Sequence, residues 1–244
     1  EQLPNEDIVY FGDTARVPYG NRSKETVIKY SFQCIKFLLS KNIKAIVIAC
    51  NTATAMALES VVNHFDIPII GVIDPGVKSA VNTTKTNKIA VIGTTGTINS
   101  EAYQKGIREI NKSSEVIGIA CPLFVPLVEE GWQNTEVARL TAEKYLIELK
   151  DHNVDTLVLG CTHYPILRYT ISKVIEKNIS LVNPAYETAK ELKSMLTAKD
   201  MLSDKKIKSE KRFYVSDDPE KFSRIGGNIL NKNIVNIEKV IIDD

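Results

Sequence analysis

The chain has 244 residues, of which 43% are hydrophobic and 25% are charged, a balance that is typical of one or two globular domains and excludes an intrinsically disordered chain. The 31 basic and 30 acidic residues leave a net charge of +1, which argues against nucleic acid as the main partner. Because the apolar runs are far shorter than the ~18 residues of a membrane span and the N-terminus does not resemble a signal peptide, we expect a cytoplasmic protein without a membrane partner.

Strands and helices alternate along the first part of the chain. Residues 7–11 predict a short strand, and residues 23–40 carry apolar side chains at helical spacing, with Ser23 as the expected N-cap. Residues 45–49 are all apolar, which is typical of a parallel strand covered on both faces. The next predicted elements are a helix over 54–64, a strand over 68–72, a break at 74–76 and the start of a helix over 77–81.

The same alternation continues to the end of the chain. Strands are predicted over 88–93, 115–120, 156–160 and 181–183, and helices over 100–110, 136–150, 166–176 and 185–196. The lysine-rich residues 199–211 predict a loop, and the last strands are predicted over 212–215 and 235–240. Regular alternation of this kind predicts an α/β fold with mainly parallel sheets flanked by helices.

The four cysteines do not form a disulfide or zinc framework. They are too sparse for a disulfide scaffold and include no C-x-x-C pair, so we expect free thiols in a reducing compartment. Cys34 lies within an apolar helix and Cys121 between a strand and Pro122. Both positions favour a packing role.

The other two cysteines occupy equivalent places in two similar segments. Residues 44–52 and 155–163 each contain an apolar strand, a small residue, a cysteine (Cys50 or Cys161) and polar residues. Ligands bind at the carboxyl ends of parallel strands, and the positive end of a following helix stabilises a thiolate. Two facing thiols could remove a proton from one side of an anionic substrate and return one on the other. A buried, inert cysteine is the alternative at either position alone, and His163 is placed to set the protonation of the nearby thiol.

Four longer segments match a known family. They read YFGDTARVPYG at 10–20, ACNTAT at 49–54, CPLFVPLVEEG at 121–131 and LGCTHYP at 159–165. In this order they resemble glutamate racemases of the aspartate/glutamate racemase superfamily, and the resemblance runs through essentially the whole chain. It implies interconversion of L- and D-glutamate without cofactor or metal, a supply of D-glutamate for peptidoglycan, and a homodimer.

The resemblance also implies roles for single residues. Cys50 and Cys161 match the two catalytic thiols, and His163 matches the histidine that assists the second. Glu129 matches a carboxylate that supports the same side, although counting along the chain leaves the adjacent Glu130 open. Without the resemblance, an acid at this helix end would more often be solvated.

Further residues match the remainder of the family's site. Asp13 matches a supporting acid, although an Asp after a strand is often only a turn residue. The loop at 94–97 matches a substrate-binding loop, and its alternative is a helix cap. The positions matched to substrate binding are Pro18, Tyr19, Gly20, Asn51, Thr52, Thr94, Thr95, Thr97, Thr162 and His163.

The resemblance implies two pseudo-symmetric lobes with the active site in the cleft between them. The first lobe comprises residues 1–74 and 184–244, and the second comprises residues 75–183. Family members carry a further strand and an Asp-Ser-Gly segment ahead of the Leu-Pro that here is Leu3-Pro4. Since neither is in this chain, we expect a truncated racemase, unstable and nearly inactive if the polypeptide starts at Glu1.

Three other functions stay open from the sequence. The substrate can be another acidic amino acid such as aspartate, or the protein can be a regulatory one that keeps the fold without catalysis. A thiol–disulfide redox protein would need Cys50 and Cys161 to form a bridge, which the expected substrate gap between them disfavours.

Overall fold

The computed structural model describes residues 2–205, 209–230 and 232–242. Its strands are β1 (Ile8–Gly12), β2 (Ile46–Ile48), β3 (Ile69–Gly71), β4 (Lys88–Gly93), β5 (Glu115–Ala120), β6 (Thr156–Gly160), β7 (Ser180–Val182), β8 (Lys211–Val215) and β9 (Ile237–Lys239). Its helices are α1 (Lys24–Leu39), α2 (Asn51–Val62), α3 (Ile73–Thr83), α4 (Thr95–Asn99), α5 (Ala102–Ile110), α6 (Phe124–Glu129), α7 (Glu136–Leu146), α8 (Leu149–His152), α9 (Arg168–Val174), α10 (Pro184–Ala198) and α11 (Pro219–Leu230).

All strand pairs in these residues are parallel, so the predicted α/β fold is confirmed. The strand orders are β5-β4-β6-β7, β1-β8-β9 and β2-β3. In the four-stranded sheet, Gly93 at the end of β4 is in register with both Ala120 and Gly160. The chain therefore leaves three neighbouring strands side by side at one edge.

The largest core surrounds the four-stranded sheet. One face packs against α6, α7 and α9, and the other packs against α3 and α5. Ile89 and Ile92 on β4 and Leu157 on β6 are fully buried. Each such side chain adds about 1.5–3 kcal/mol to the free energy of unfolding, so the strands that end at the candidate site are firmly held.

Two helices begin earlier than the sequence predicts. Helix α2 begins at Asn51, because the Cys50 side chain caps it and accepts a hydrogen bond from the Ala53 N–H at 3.5 Å. Helix α3 begins at Ile73 and includes the residues predicted as a break. Pro75 lies in its first turn, where a missing N–H leaves no hydrogen bond unmade.

Two other predicted helices are interrupted in the structure, and some observed helices differ from the sequence prediction. A left-handed residue, Glu101 with φ +56°, separates α4 from α5, so the single helix predicted over 100–110 is wrong at its start. The long helix predicted over 136–150 is divided into α7 and α8. The sequence indicates only the end of α6, at residues 129–130, and does not predict α11, because Pro126 and a Gly226–Gly227 pair interrupt their patterns.

Strand β2 is not covered on both faces as predicted. Ile46 packs into the core beneath α1 and α2, whereas Val47 points the other way and is 36% exposed. Of the predicted loop 199–211, residues 206–208 lie outside the described residues, and Lys211 already begins β8. In the described part of the chain, no helix has the length and apolar character needed to cross a membrane.

Candidate active site

The first candidate thiol, Cys50, is held at the N-terminus of α2. It follows β2 and is half-buried. Burial raises the pKa of the thiol, whereas the N–H groups of Ala53 and Thr52 lower it. The start of the helix therefore lowers the pKa of the thiol, as predicted. Burial raises that pKa by more, so the thiol stays protonated near neutral pH.

The second candidate thiol, Cys161, directly follows β6 and is 7% exposed. Burial raises its pKa to about 12, although the N–H of His163 acts in the opposite direction. A negative charge on Cys50 would raise this pKa further. Burial therefore shifts both thiol pKa values in the direction opposite to the one that the helix starts favour.

A histidine and a carboxylate stand beside Cys161. The Nδ1 atom of His163 is 3.9 Å from Cys161 Sγ and 3.5 Å from Thr162 Oγ1. On the other side of the ring, Nε2 is 3.6 Å from Glu129 Oε1. Because Glu130 is exposed at the end of α6, Glu129 is the acid that faces the histidine.

The Glu129 carboxylate is shared between a lysine and a histidine. Its second oxygen, Oε2, is 3.2 Å from Lys221 Nζ on α11. His163 and then Lys221 hold the pKa of this carboxyl below its ordinary value. Glu129 is therefore ionised, and its carboxylate faces both the Lys221 ammonium and the His163 ring.

Three predicted threonines form one cluster between the helix starts. Thr52 Oγ1 is 2.8 Å from Thr94 Oγ1 and 3.2 Å from Thr97 Oγ1, and the last two are 3.1 Å apart. Thr94 also caps α4 by accepting from the Thr97 N–H, so the cap that was an alternative interpretation exists within the cluster. Thr95, the remaining predicted threonine, is half-buried at the first position of α4.

The predicted segment 18–20 lies against this cluster. Pro18 precedes a short 3-10 turn that contains Tyr19 and Gly20, both buried. A Cβ on Gly20 would lie 2.6 Å from Thr94 Cβ, closer than side chains can approach. Only glycine fits here, so the turn can reach the loop that follows β4.

Asp13 is the centre of a hydrogen-bonded network. Its carboxylate accepts from Arg16 Nε at 2.8 and 2.9 Å, from the Tyr19 hydroxyl and from Ser216 Oγ at 3.0 Å. Cys34 borders the network at 3.9 Å from the Tyr19 hydroxyl, so it packs against polar groups and not only in an apolar core. Asp13 therefore joins the ends of β1 and β8 to the Tyr19 turn.

One buried side chain that contacts the site, Tyr103, lies outside the recognised sequence motifs. The Tyr103 hydroxyl on α5 donates to Asn51 Oδ1 at 2.7 Å, and both side chains are buried. Burial raises the pKa of Tyr103, so the phenol stays protonated and keeps donating. It fixes the residue that follows Cys50.

Three side chains that contact predicted site residues were not identified from the sequence. Tyr103, Ser216 and Lys221 lie outside the recognised motifs, and their partners are far away in the chain. The only available signal for Tyr103 was its place on a predicted helix after a predicted site loop. Cys121, expected to have a packing role, is fully buried in the core.

The arrangement suits proton transfer between two thiols. Cys50 lies two residues after the end of β2 and Cys161 directly after the end of β6, and polar residues follow each of them in the chain. Within residues 2–205, 209–230 and 232–242, no group of three or more His, Cys, Asp or Glu side chains could hold a metal ion. The chemistry that these side chains themselves can supply is general acid–base catalysis.

Comparison with known proteins agrees with this geometry. The Asp/Glu/hydantoin racemase family matches residues 1–192. The glutamate racemase of Geobacter metallireducens is 47% identical over 241 residues, which cover 99% of this chain and 89% of the relative. A glutamate racemase isoform from Bacillus anthracis has a TM-score of 0.94 at 38% identity, covering 98% of this chain and 89% of that one. The Francisella tularensis glutamate racemase, solved in complex with D-glutamate, has a TM-score of 0.92 at 42% identity, covering 99% and 90% of the two chains. The resemblance seen in the sequence motifs is thereby confirmed, and the chain belongs to the Asp/Glu/hydantoin racemase family.

Proposed function

We propose that the protein interconverts L- and D-glutamate by proton transfer between two thiols, without a cofactor. The observation that carries the proposal is the pair formed by Cys50 and Cys161. Cys50 caps helix α2 shortly after strand β2, and Cys161 directly follows strand β6 with its Sγ 3.9 Å from His163 Nδ1. The 47% identity to a glutamate racemase supports glutamate as the substrate.

In the proposed reaction one thiol acts as the thiolate and the other as the acid. The thiolate removes the α-hydrogen of glutamate as a proton, and the electron pair of the C–H bond stays on the α-carbon. The opposite thiol then donates its proton to the other face, which inverts the centre. Because burial raises the pKa of both thiols, the ammonium group of the bound substrate is a cation suited to stabilising the thiolate.

The surrounding polar groups are proposed to bind the two carboxylates of glutamate. Hydroxyl donors come from the cluster of Thr52, Thr94 and Thr97, and further donors come from Asn51 and Thr162. Donors that are already in place cost no reorganisation when charge develops on the substrate. The Glu129–His163 pair serves the Cys161 side by holding or releasing a proton near that thiol.

Asp13 is proposed to act through position and not as a proton donor. Its carboxylate accepts hydrogen bonds from Arg16, Tyr19 and Ser216, so both of its oxygens are engaged by side chains of the protein. We assign it the role of holding the Tyr19–Gly20 turn against the threonine cluster.

The wider biology is also part of the proposal. The family resemblance implies a homodimer, a cytoplasmic location and a supply of D-glutamate for peptidoglycan. It also implies two lobes, one comprising residues 1–74 with 184–244 and the other comprising residues 75–183. Light scattering on the purified protein measures the oligomeric state directly.

Circular dichroism of glutamate solutions tests the reaction. The wild-type protein should bring L- and D-glutamate to the same racemic endpoint, and Cys50→Ser and Cys161→Ser should each lower kcat by at least about 100-fold. Cys121→Ala, at a buried cysteine outside the site, is the matched control and should retain most activity. Turnover of aspartate but not glutamate would replace the proposed substrate, and an active Cys→Ser variant at position 50 or 161 would remove the two-thiol mechanism.

A further inference from the structure

Lys221 contacts the acid that supports His163. Its Nζ atom is 3.2 Å from Glu129 Oε2, while Glu129 Oε1 is 3.6 Å from His163 Nε2. The two oxygens of one carboxylate are thus divided between the lysine and the histidine. Since His163 Nδ1 is in turn 3.9 Å from Cys161 Sγ, Lys221 stands at the end of a short chain of contacts that leads to the thiol.

The backbone that carries Lys221 is well anchored. The Lys221 N–H donates to Asp218 Oδ1 at 2.9 Å at the start of α11. The adjacent Phe222 ring stacks on Tyr10 with ring centroids 5.2 Å apart and tilts against Phe213 at 6.2 Å. Helix α11 is therefore fixed on the β1–β8 sheet, and Lys221 extends from it toward α6.

Glu129 needs such a second contact to stay in place. It is the last residue of α6, and its side chain is 25% exposed, so water competes for the carboxylate. At 3.6 Å, the contact with His163 is longer than a hydrogen bond and fixes the carboxylate weakly. The ion pair with Lys221 has little value for stability at this exposure, but it restricts the rotamers from which Oε1 can face the imidazole.

We propose that Lys221 is a positioning residue of the racemase site, which holds the Glu129 carboxylate against His163 and so serves proton transfer at Cys161. The inference rests on the proposed function and deepens it. It connects the C-terminal helix α11 to the chemistry of a thiol that lies at the end of β6.

The test compares three lysine variants. Lys221→Met keeps most of the apolar stem and removes the charge, whereas Lys221→Arg restores a cation. Lys78→Met is the matched control, because Lys78 also pairs with a carboxylate, that of Glu191 at 2.8 Å, on an exposed surface. We expect kcat to fall about tenfold in Lys221→Met, to recover at least partly in Lys221→Arg and to be unchanged in Lys78→Met.

Two readouts separate positioning from a structural effect. With substrates deuterated at the α-carbon, Lys221→Met should increase the kinetic isotope effect for the enantiomer that Cys161 deprotonates and decrease it for the other one. A general loss of folded protein would change neither. Independently of any substrate, the NMR signals of the His163 ring should shift in Lys221→Met while those of His64 and His152 stay in place, with His163→Gln providing the assignment.

The outcomes that overturn the proposal are equally definite. They are a Lys221→Met variant within twofold of wild-type kcat, unmoved His163 ring signals, an equal loss in Lys78→Met, or no recovery in Lys221→Arg. A wild-type protein that fails to racemise glutamate would instead remove the proposed function, and the NMR comparison would still test the position of Lys221.

Discussion

The hydrogen bond between Tyr103 and Asn51 gives the sharpest test of how the site is held. Tyr103→Phe removes one hydroxyl and keeps the ring, which lies closely against Gly76 and Gly160. The variant therefore keeps the contacts of the ring. What it removes is the 2.7 Å hydrogen bond to the Asn51 side-chain oxygen in a buried position.

The expected cost follows from that burial. Asn51 is 5% exposed, so water cannot easily replace the lost donor, and an unsatisfied buried acceptor costs about 1–3 kcal/mol. For a chain of this size, a loss of about 2 kcal/mol lowers Tm by about 4–8 °C. Because Asn51 follows Cys50, a looser amide should also lower kcat/KM by about tenfold, which corresponds to about 1.4 kcal/mol.

Thermal melting and the circular dichroism assay measure both effects. Tyr145→Phe is the matched control, because the Tyr145 hydroxyl accepts from the exposed Leu123 N–H at 3.2 Å and water can take its place. We expect the control to melt within about 1–2 °C of wild type. A Tyr103→Phe variant that melts with the wild type and keeps full kcat/KM would refute the reasoning, as would equal losses in both variants.

The remaining predictions concern the glycine turn and the thiols. Gly20→Ala places a Cβ 2.6 Å from Thr94 Cβ and should destabilise the fold by about 1–3 kcal/mol in urea unfolding while raising KM; an unchanged midpoint would show that the turn adapts. Since burial raises the pKa of Cys50 and Cys161 and one must act as thiolate, kcat/KM should increase from about pH 6 to 8.5, and a decrease over that range would contradict the mechanism. Because the thiol pKa is raised in the folded state, the unfolded chain loses its thiol protons at a lower pH than the folded protein does. The stability that the protonated thiols give to the folded state is therefore fully present below about pH 8.5. It should be lost as the pH rises toward about 12, the pKa of Cys34 and Cys161, and urea midpoints that do not fall between pH 8 and pH 10.5 would count against these shifts.

The sequence predicts best what depends on local pattern. Strands β4, β5 and β6 were predicted at their observed bounds because each is an apolar run between turn residues. That pattern also placed Cys161 at a strand end, since parallel strands present their carboxyl ends together. Cys50 was placed beside a helix start for the same reason, although the sequence did not show that it caps α2 itself.

What escaped prediction depends on contacts between distant segments. The choice between Glu129 and Glu130 required the phase of α6, and Pro126 obscured that helix in the sequence. Tyr103 lies 52 positions from its partner Asn51, and Lys221 lies 92 positions from Glu129. The sign of the net thiol pKa shift also depends on burial, which is a property of the whole fold.

The threonine cluster has a consequence for how mirror-image ligands can be bound. Thr52, Thr94 and Thr97 place three hydroxyl oxygens within 3.2 Å of one another in a closed ring, and each hydroxyl can donate or accept. Each hydroxyl can turn its hydrogen toward a neighbour in the ring or toward a ligand, without movement of any heavy atom. An enzyme that treats L- and D-glutamate alike must bind two opposite arrangements of the same groups, and side chains without a fixed donor direction can serve both.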